Sequence, residues 1–254
     1  MKEKNVHFGN CAGLMNSQFS KKGILLYNGF FGDMDESYGL FRDYIPLLHK
    51  QGFSTLRFNL TGLGGNRKDL ERVTVQTWVE DTYQALDFFH TQGIEQIGIV
   101  GFSLGATYAI LNYSRNPEIK SKIVGLALWA PAFNPRVDVL DRYKQNGDYE
   151  KSCVGTLTKF GKPVSAEVLD SLDFDVLTEL ENVDCPILIC HSEQDPFIPL
   201  KTSLAVEKKI QHLNQLFVLN KTGHSFRSLE DPKDNSPRIK VYNKTLDFFR
   251  HYFE

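Results

Sequence analysis

The chain has 254 residues, of which 41% are hydrophobic and 24% charged, and its formal net charge is −2. This length and composition suit one large globular domain with a sizeable core and exclude a disordered or fibrous chain. A charge so near neutral gives no electrostatic reason to expect nucleic acid or an anionic membrane surface as partner.

No run approaches the roughly 20 apolar residues of a membrane span. The polar stretch from Met1 to Asn10 lacks an apolar signal core. The four cysteines, Cys11, Cys153, Cys185 and Cys190, form no CxxC pair. Cys185 and Cys190 share one apolar run, where buried free thiols are expected. These features together predict a soluble protein of the reducing cytoplasm.

In chain order, Asn5–Phe8 and Leu14–Phe19 flank a turn-like Gly9-Asn10…Gly13 and predict an antiparallel edge hairpin. Ile24–Tyr27 is an apolar strand ending at Asn28-Gly29. Tyr38–Lys50 carries Leu40, Phe41, Tyr44, Ile45 and Leu48 at helical spacing, with a kink or early stop at Pro46 and a stop at Gly52. Ser54–Leu60 is the next strand. Thr77-Trp78-Val79-Glu80 has the form of a capping box opening a helix with Trp78, Tyr83, Leu86 and Phe89, closed by Gly93. Gln96–Gly101 is a strand that runs directly into a helix over Leu104–Asn116, stopped by Pro117. Strands follow at Ile123–Ala130, Pro186–His191 and Gln215–Leu219, and a last helix over Ile239–Phe253 places Tyr242, Leu246 and Phe249 on one face.

Apolar strands alternating with helices predict an α/β fold: one mostly parallel sheet of about eight strands with helices on both faces. One stretch breaks the rhythm. Residues 131–184 show no clear strand–helix unit and hold Tyr143, Tyr149, Phe160 and Phe174 among many charges. We read them as a small cap insertion within a single 1–254 domain; a solvated excursion is the alternative.

Gly101-Phe102-Ser103-Leu104-Gly105 is a G-x-S-x-G motif set between an apolar strand and a helix, the context a nucleophile elbow requires. A serine on so sharp a turn needs neighbours without side chains, which Gly101 and Gly105 supply. The helix N-terminus below it offers free amides and partial positive charge to a developing oxyanion. A serine hydroxyl needs a base. His224, in Thr222-Gly223-His224-Ser225, is the histidine between the last strand and the last helix. Asp195 lies just past the strand ending at His191 and precedes Pro196, so it is the candidate acid. Glu193 is its rival, and Asp195 could instead cap the segment from Leu200. The chain order Ser, Asp, His is that of the α/β hydrolases and differs from the chymotrypsin and subtilisin orders.

With these residues the chain resembles the α/β-hydrolase superfamily over nearly its whole length, residues 131–184 least. In that family a His-Gly-aromatic turn follows the strand corresponding to Ile24–Tyr27, and here the loop reads Asn28-Gly29-Phe30-Phe31-Gly32-Asp33. The resemblance implies that the backbone N–H of Phe30 joins that of Leu104 in an oxyanion hole. Asn28 stands where the family has a loop-supporting histidine, and retained activity is expected. Asn59-Leu60-Thr61-Gly62-Leu63-Gly64-Gly65-Asn66 is similar to the family's Asp-x-Arg-Gly-x-Gly-x-Ser segment without its Asp and Arg. The short loop and single insertion look most like the cinnamoyl/feruloyl esterases and serine-aminopeptidase-like hydrolases.

No dinucleotide fingerprint, P-loop or HExxH zinc spacing occurs. A dehalogenase would need Asp, and a dienelactone hydrolase Cys, where Ser103 stands. The expected reaction is hydrolysis of a small-molecule ester or other acyl substrate through an acyl-enzyme, with no metal or organic cofactor. Phe31 and Phe102 are candidates for an apolar acyl or aryl pocket, with core packing the alternative for Phe102. Thioesterase, amidase and acyltransferase chemistry use the same machinery, and a non-catalytic ligand receptor on this fold is the reading from another class.

Overall fold

The computed structural model describes residues 3–18, 20–30, 32–64, 73–141, 166–210 and 214–253. Eight strands form one sheet: β1 (Lys4–Phe8), β2 (Cys11–Asn16), β3 (Lys22–Tyr27), β4 (Ser54–Asn59), β5 (Gln96–Phe102), β6 (Ile123–Trp129), β7 (Ile187–Ser192) and β8 (Asn214–Leu219). Their spatial order is β1-β2-β4-β3-β5-β6-β7-β8. The first two form an edge hairpin, antiparallel to each other and to β4, but β2 runs three residues earlier than the expected Leu14–Phe19, so the turn is Gly9-Asn10 alone. The other six run parallel.

The central strands are apolar at nearly every position because both faces are covered. Leu25 and Tyr27 of β3 join a core shared with α2 (Val75–Thr91) and α3 (Leu104–Arg115), while Ile24 and Leu26 join one shared with α1 (Ile45–Lys50) and the C-terminal helix. The same alternation recurs at Leu126 and Leu128 against Ala127 and Trp129 in β6. Three shorter helices, α4 (Pro117–Lys120), α5 (Ala166–Asp170) and α6 (Leu200–Lys209), precede that last helix, α7 (Ser236–Tyr252).

Two further local expectations are corrected. Pro46 does not break a helix over 38–50; it sits in the first turn of α1, where its missing N–H costs nothing. The capping box lies one turn earlier than Thr77–Glu80. Thr74 is the N-cap, its hydroxyl accepting from Thr77 N (3.4 Å) while Thr74 N donates to the Thr77 hydroxyl (3.2 Å). The earlier start buries Val75 as well as Trp78.

The stretch from 131 to 184 is partly visible. Arg136–Leu140 forms a single π turn. Val168, Leu169, Leu172, Val176 and Leu180 are buried in the α2/α3 core, and Phe174 packs half-buried against it. Tyr143, Tyr149 and Phe160 lie outside the described residues.

Gly98 in β5 shows how closely α7 approaches the sheet. A Cβ there would lie 2.7 Å from Phe249 Cδ1 and 2.8 Å from Ile24 Cδ1. Gly98→Ala should therefore cost about 1–3 kcal/mol by overpacking, measured by urea denaturation. Combining it with Phe249→Leu should return part of that loss; simple additivity of the two would count against the close packing.

Candidate active site

The chain leaves β5 and enters α3 through one residue, Ser103, at φ 54° and ψ −118°. A positive φ at a non-glycine residue costs on the order of 1–3 kcal/mol and persists only where surroundings enforce it. Here Ser103 N donates to Trp129 O (2.8 Å), and Ser103 O accepts from Ala106 N (3.2 Å) and Ala132 N (3.1 Å). Gly105 lies so near the end of β3 that a Cβ would overlap the carbonyl oxygen of Tyr27. At Gly101 a Cβ would lie 2.7 Å from Ala106 Cα. Leu104 opens the helix, where the first-turn N–H groups have no partner within the helix itself.

Asp195 and His224 meet on the far side of the sheet's centre. His224 Nδ1 and Asp195 Oδ2 are 2.6 Å apart, and the Asp195 side chain is fully buried. The other oxygen, Oδ1, accepts from Phe197 N (2.8 Å) and Ile198 N (3.0 Å). Burial opposes charge on Asp195, but the bond to His224, its charge and these N–H groups outweigh it and hold the carboxyl below the usual range. The His224 ring lies against Phe102, centroids 4.7 Å apart, directly beside Ser103 in sequence, and is flanked on another side by Phe197 at 5.4 Å. Glu193 is exposed and bonds Gln194, so the carboxylate that meets His224 is Asp195. Asp195 does not cap the helix from Leu200, whose N-cap is Pro199 with no side-chain bond; its Oδ1 closes the turn at Phe197 and Ile198 instead.

The loop after β3 approaches from the opposite side. A Cβ on Gly29 would lie 3.0 Å from Ser103 Cβ. Phe30 is half-buried, its ring set edge-on to Trp78 at 5.8 Å. Phe102 is 2% exposed and belongs to the core beneath His224. Phe31 lies outside the described residues.

Several site-supporting residues escaped sequence reasoning. Asn28 is fully buried, but neither atom of its amide makes a hydrogen bond among the described residues, so it does not take over the loop support that the resemblance gives to a histidine there. That support comes from Glu36, whose Oε2 accepts from Gly29 N (2.7 Å). His191, buried in β7, donates from Nε2 to Ile198 O (3.0 Å) and accepts at Nδ1 from Ser203 Oγ (2.7 Å), bracing the Asp195 turn. Burial keeps its pKa low, so it is a neutral brace. Ser192 Oγ donates to Gly223 O (2.8 Å) and accepts from Thr222 Oγ1 (2.7 Å), tying the acid strand to the histidine loop. Only the histidine's place inside an apolar strand could have signalled any of these. Among the described residues no cluster of three His, Cys, Asp or Glu is placed to hold a metal ion.

A family model described as "Serine aminopeptidase, S33" matches residues 21–160, more than half the chain. The dienelactone hydrolase family model matches residues 171–253, which hold Asp195 and His224 but not position 103. Two curated relatives are a probable alcohol acetyltransferase from Cyberlindnera fabianii, 27% identical over 47% of this chain, and the mitochondrial palmitoyl-protein thioesterase ABHD10 of Bos taurus, 25% identical over 78%. The chain spans 30% and 65% of their lengths, less than two thirds of either. Among solved structures, ferulic acid-bound Est1E from Butyrivibrio proteoclasticus superposes with a TM-score of 0.73 at 17% identity, covering 93% of this chain and 94% of Est1E. Mouse ABHD10 gives 0.73 at 16%, covering 99% of each chain. At these identities the two structures show a shared α/β-hydrolase fold.

The Glu36 carboxyl is pushed up to about 7, burial outweighing the N–H groups of Gly29 and Ser37, with Asp33 adding repulsion. A carboxyl whose folded pKa exceeds its ordinary 4.5 binds more protons folded than unfolded. Its contribution to stability is full below about 4.5 and is lost as pH rises through about 7. Glu36→Gln, which cannot ionise, should therefore gain stability relative to the wild type as pH rises across that window. Urea denaturation at stepped pH measures this, and a constant difference would contradict a buried carboxyl titrating there.

Proposed function

The chain belongs to the serine aminopeptidase S33 family, within the α/β-hydrolase fold, and on that premise we propose that it is a serine hydrolase cleaving a carboxylic ester. The observation that carries the reading is the 2.6 Å His224–Asp195 pair, its imidazole tilted against Phe102 at 4.7 Å, next to the strained Ser103 at the head of α3.

In this reading Ser103 Oγ attacks the substrate carbonyl while His224 Nε2 takes its proton. Asp195 holds the Nδ1–H tautomer and stabilises the imidazolium without itself being protonated. The oxyanion forms between the N–H groups of Phe30 and Leu104, each such donor being worth about 3–4 kcal/mol. His224 returns the proton to the leaving alcohol, the acyl group stays on Ser103, and water activated by the same imidazole releases the acid.

Phe30 and Phe197 suit an apolar or aryl acyl group beside the nucleophile. Ala132 N donates to Ser103 O (3.1 Å) and Thr107 Oγ1 donates to Ala132 O (2.6 Å), so the chain after β6 is tied to the elbow at residue 132. A thioester is the second reading, favoured by similarity to palmitoyl-protein thioesterase ABHD10 in both sequence and structure. A pair of ester and thioester substrates with one acyl group, compared by kcat/KM, separates the two.

A fluorophosphonate should label Ser103 stoichiometrically, and Ser103→Ala should lose both label and p-nitrophenyl ester turnover. Asp195→Asn should retain the fold and lose about ten-thousandfold in kcat. Labelling at another residue, or turnover that survives Ser103→Ala, rules out this assignment.

A further inference from the structure

The segment between the oxyanion loop and α1 is built against its own conformational preferences. Glu36 and Tyr38 both have positive φ, 59° and 54°, although neither is glycine. Glu36 is buried, and no basic side chain among the described residues forms an ion pair with it. Strain and an unpaired buried carboxylate in three consecutive residues are costly, and such costs persist where geometry matters.

What the segment holds is visible from its bonds. Glu36 Oε2 accepts from Gly29 N (2.7 Å), and Oε1 accepts from Ser37 N (3.1 Å). Gly29 O in turn accepts from Gly32 N (3.0 Å). The N–H of Phe30 shares a planar trans peptide with Gly29 O and points the opposite way. Fixing Gly29 at both its N–H and its carbonyl therefore aims the Phe30 N–H.

The same segment is bound from below by α7. Arg238, 4% exposed at its side chain, donates from Nη2 to Ser37 O (2.9 Å), from Nη1 to Tyr38 O (3.0 Å) and from Nε to Ser225 O (3.0 Å). Tyr242, one turn on, donates to Leu40 O (2.8 Å). Ser225 follows His224 directly. One planar guanidinium thus joins the chain that carries the imidazole to the chain that holds the oxyanion loop.

We propose that Glu36 and Arg238 are positioning residues, a clamp that keeps the Phe30 N–H and the His224 imidazole in register with Ser103. The proposal rests on the Ser103–His224–Asp195 reading above. It concerns geometry needed at the tetrahedral stage, so its loss falls on kcat more than on KM.

The test measures kcat and KM for a p-nitrophenyl ester, per site titrated with fluorophosphonate, in the wild type, Glu36→Ala, Glu36→Gln and Arg238→Lys. Glu36→Ala should lose about tenfold or more in kcat with KM nearly unchanged, less than deletion of an oxyanion donor. Glu36→Gln should recover most of it, since an amide oxygen still accepts from Gly29 N. Arg238→Lys cannot reach three carbonyls at once and should also lose kcat, so it decides the matter if Glu36→Ala does not fold. The double variant Glu36→Ala/Arg238→Lys should lose less than the product of the two single losses. Unchanged kcat per titrated site, with only thermal stability lowered, would overturn the clamp. Hydrogen exchange provides a readout independent of turnover: amides at 28–32 should exchange faster in Glu36→Ala, and those at 223–227 in Arg238→Lys. Faster exchange in the variants, with no Ser103-dependent turnover in the wild type, would leave the clamp standing and sink the esterase reading; unchanged exchange in the variants would sink the clamp whatever the turnover.

Discussion

The close approach of α3 to the end of β3 is the constraint on which the site is built. With Gly105 against the Tyr27 carbonyl, the chain must turn from strand to helix within a single residue. That residue is Ser103, and its positive φ is the cost of the turn. The cost is borne by the end of β6 and the residues after it, because Trp129 O takes the serine N–H and Ala132 N donates to the serine carbonyl. The elbow is therefore a property of three strands and a helix acting together, and strain there is stored by the parallel sheet's packing.

Two buried carboxylates near this elbow show how environment divides one chemistry into two roles. Asp195 has an imidazole and two backbone N–H groups, and these hold it ionised in spite of burial. Glu36 has backbone N–H groups and a hydroxyl, which do not offset the loss of water, so its carboxyl rises to about 7. The first suits a lasting anion bonded to the imidazole Nδ1. The second suits a hydrogen-bond acceptor whose charge is dispensable, since a neutral carboxyl oxygen still accepts.

Much of this was legible in the sequence because it is local. Strand–helix alternation is a period read within a window, and it located β3 to β8 to within about two residues. Ser103, Asp195 and His224 each follow a strand; Gly101 and Gly105 bracket the serine two residues away on either side, while Asp195 precedes Pro196 and His224 follows Gly223. The start of α2 was misplaced by one turn because Thr74 and Thr77 offer overlapping caps, and burial of Val75 decides between them. Glu36 and Arg238 were not legible, since 202 residues of chain separate them and their partners are backbone carbonyls and amides, which every residue has. No residue-type pattern announces a side chain whose ligands are peptide groups.

The departures from the family's loops follow from the same redistribution. Where the resemblance calls for a histidine, Asn28 is short and makes no side-chain hydrogen bond among the described residues. A loop that cannot be braced from within must be braced from outside, and Glu36 reaches back seven residues to do so. The strand end without its family aspartate is managed likewise: Asn59 Oδ1 takes Met34 N (2.8 Å), and Asp81 of α2 takes Thr61 N (2.7 Å) and the Thr61 hydroxyl (3.0 Å). At Gly29 and at Thr61 a buried carboxyl from outside the loop, Glu36 and Asp81, takes the backbone N–H, while Asn59 stays in place of the aspartate as an acceptor for Met34 N. Buried backbone N–H groups must find partners wherever the sequence puts them, so a loop motif can lose its signature residues while the backbone they served stays where it was.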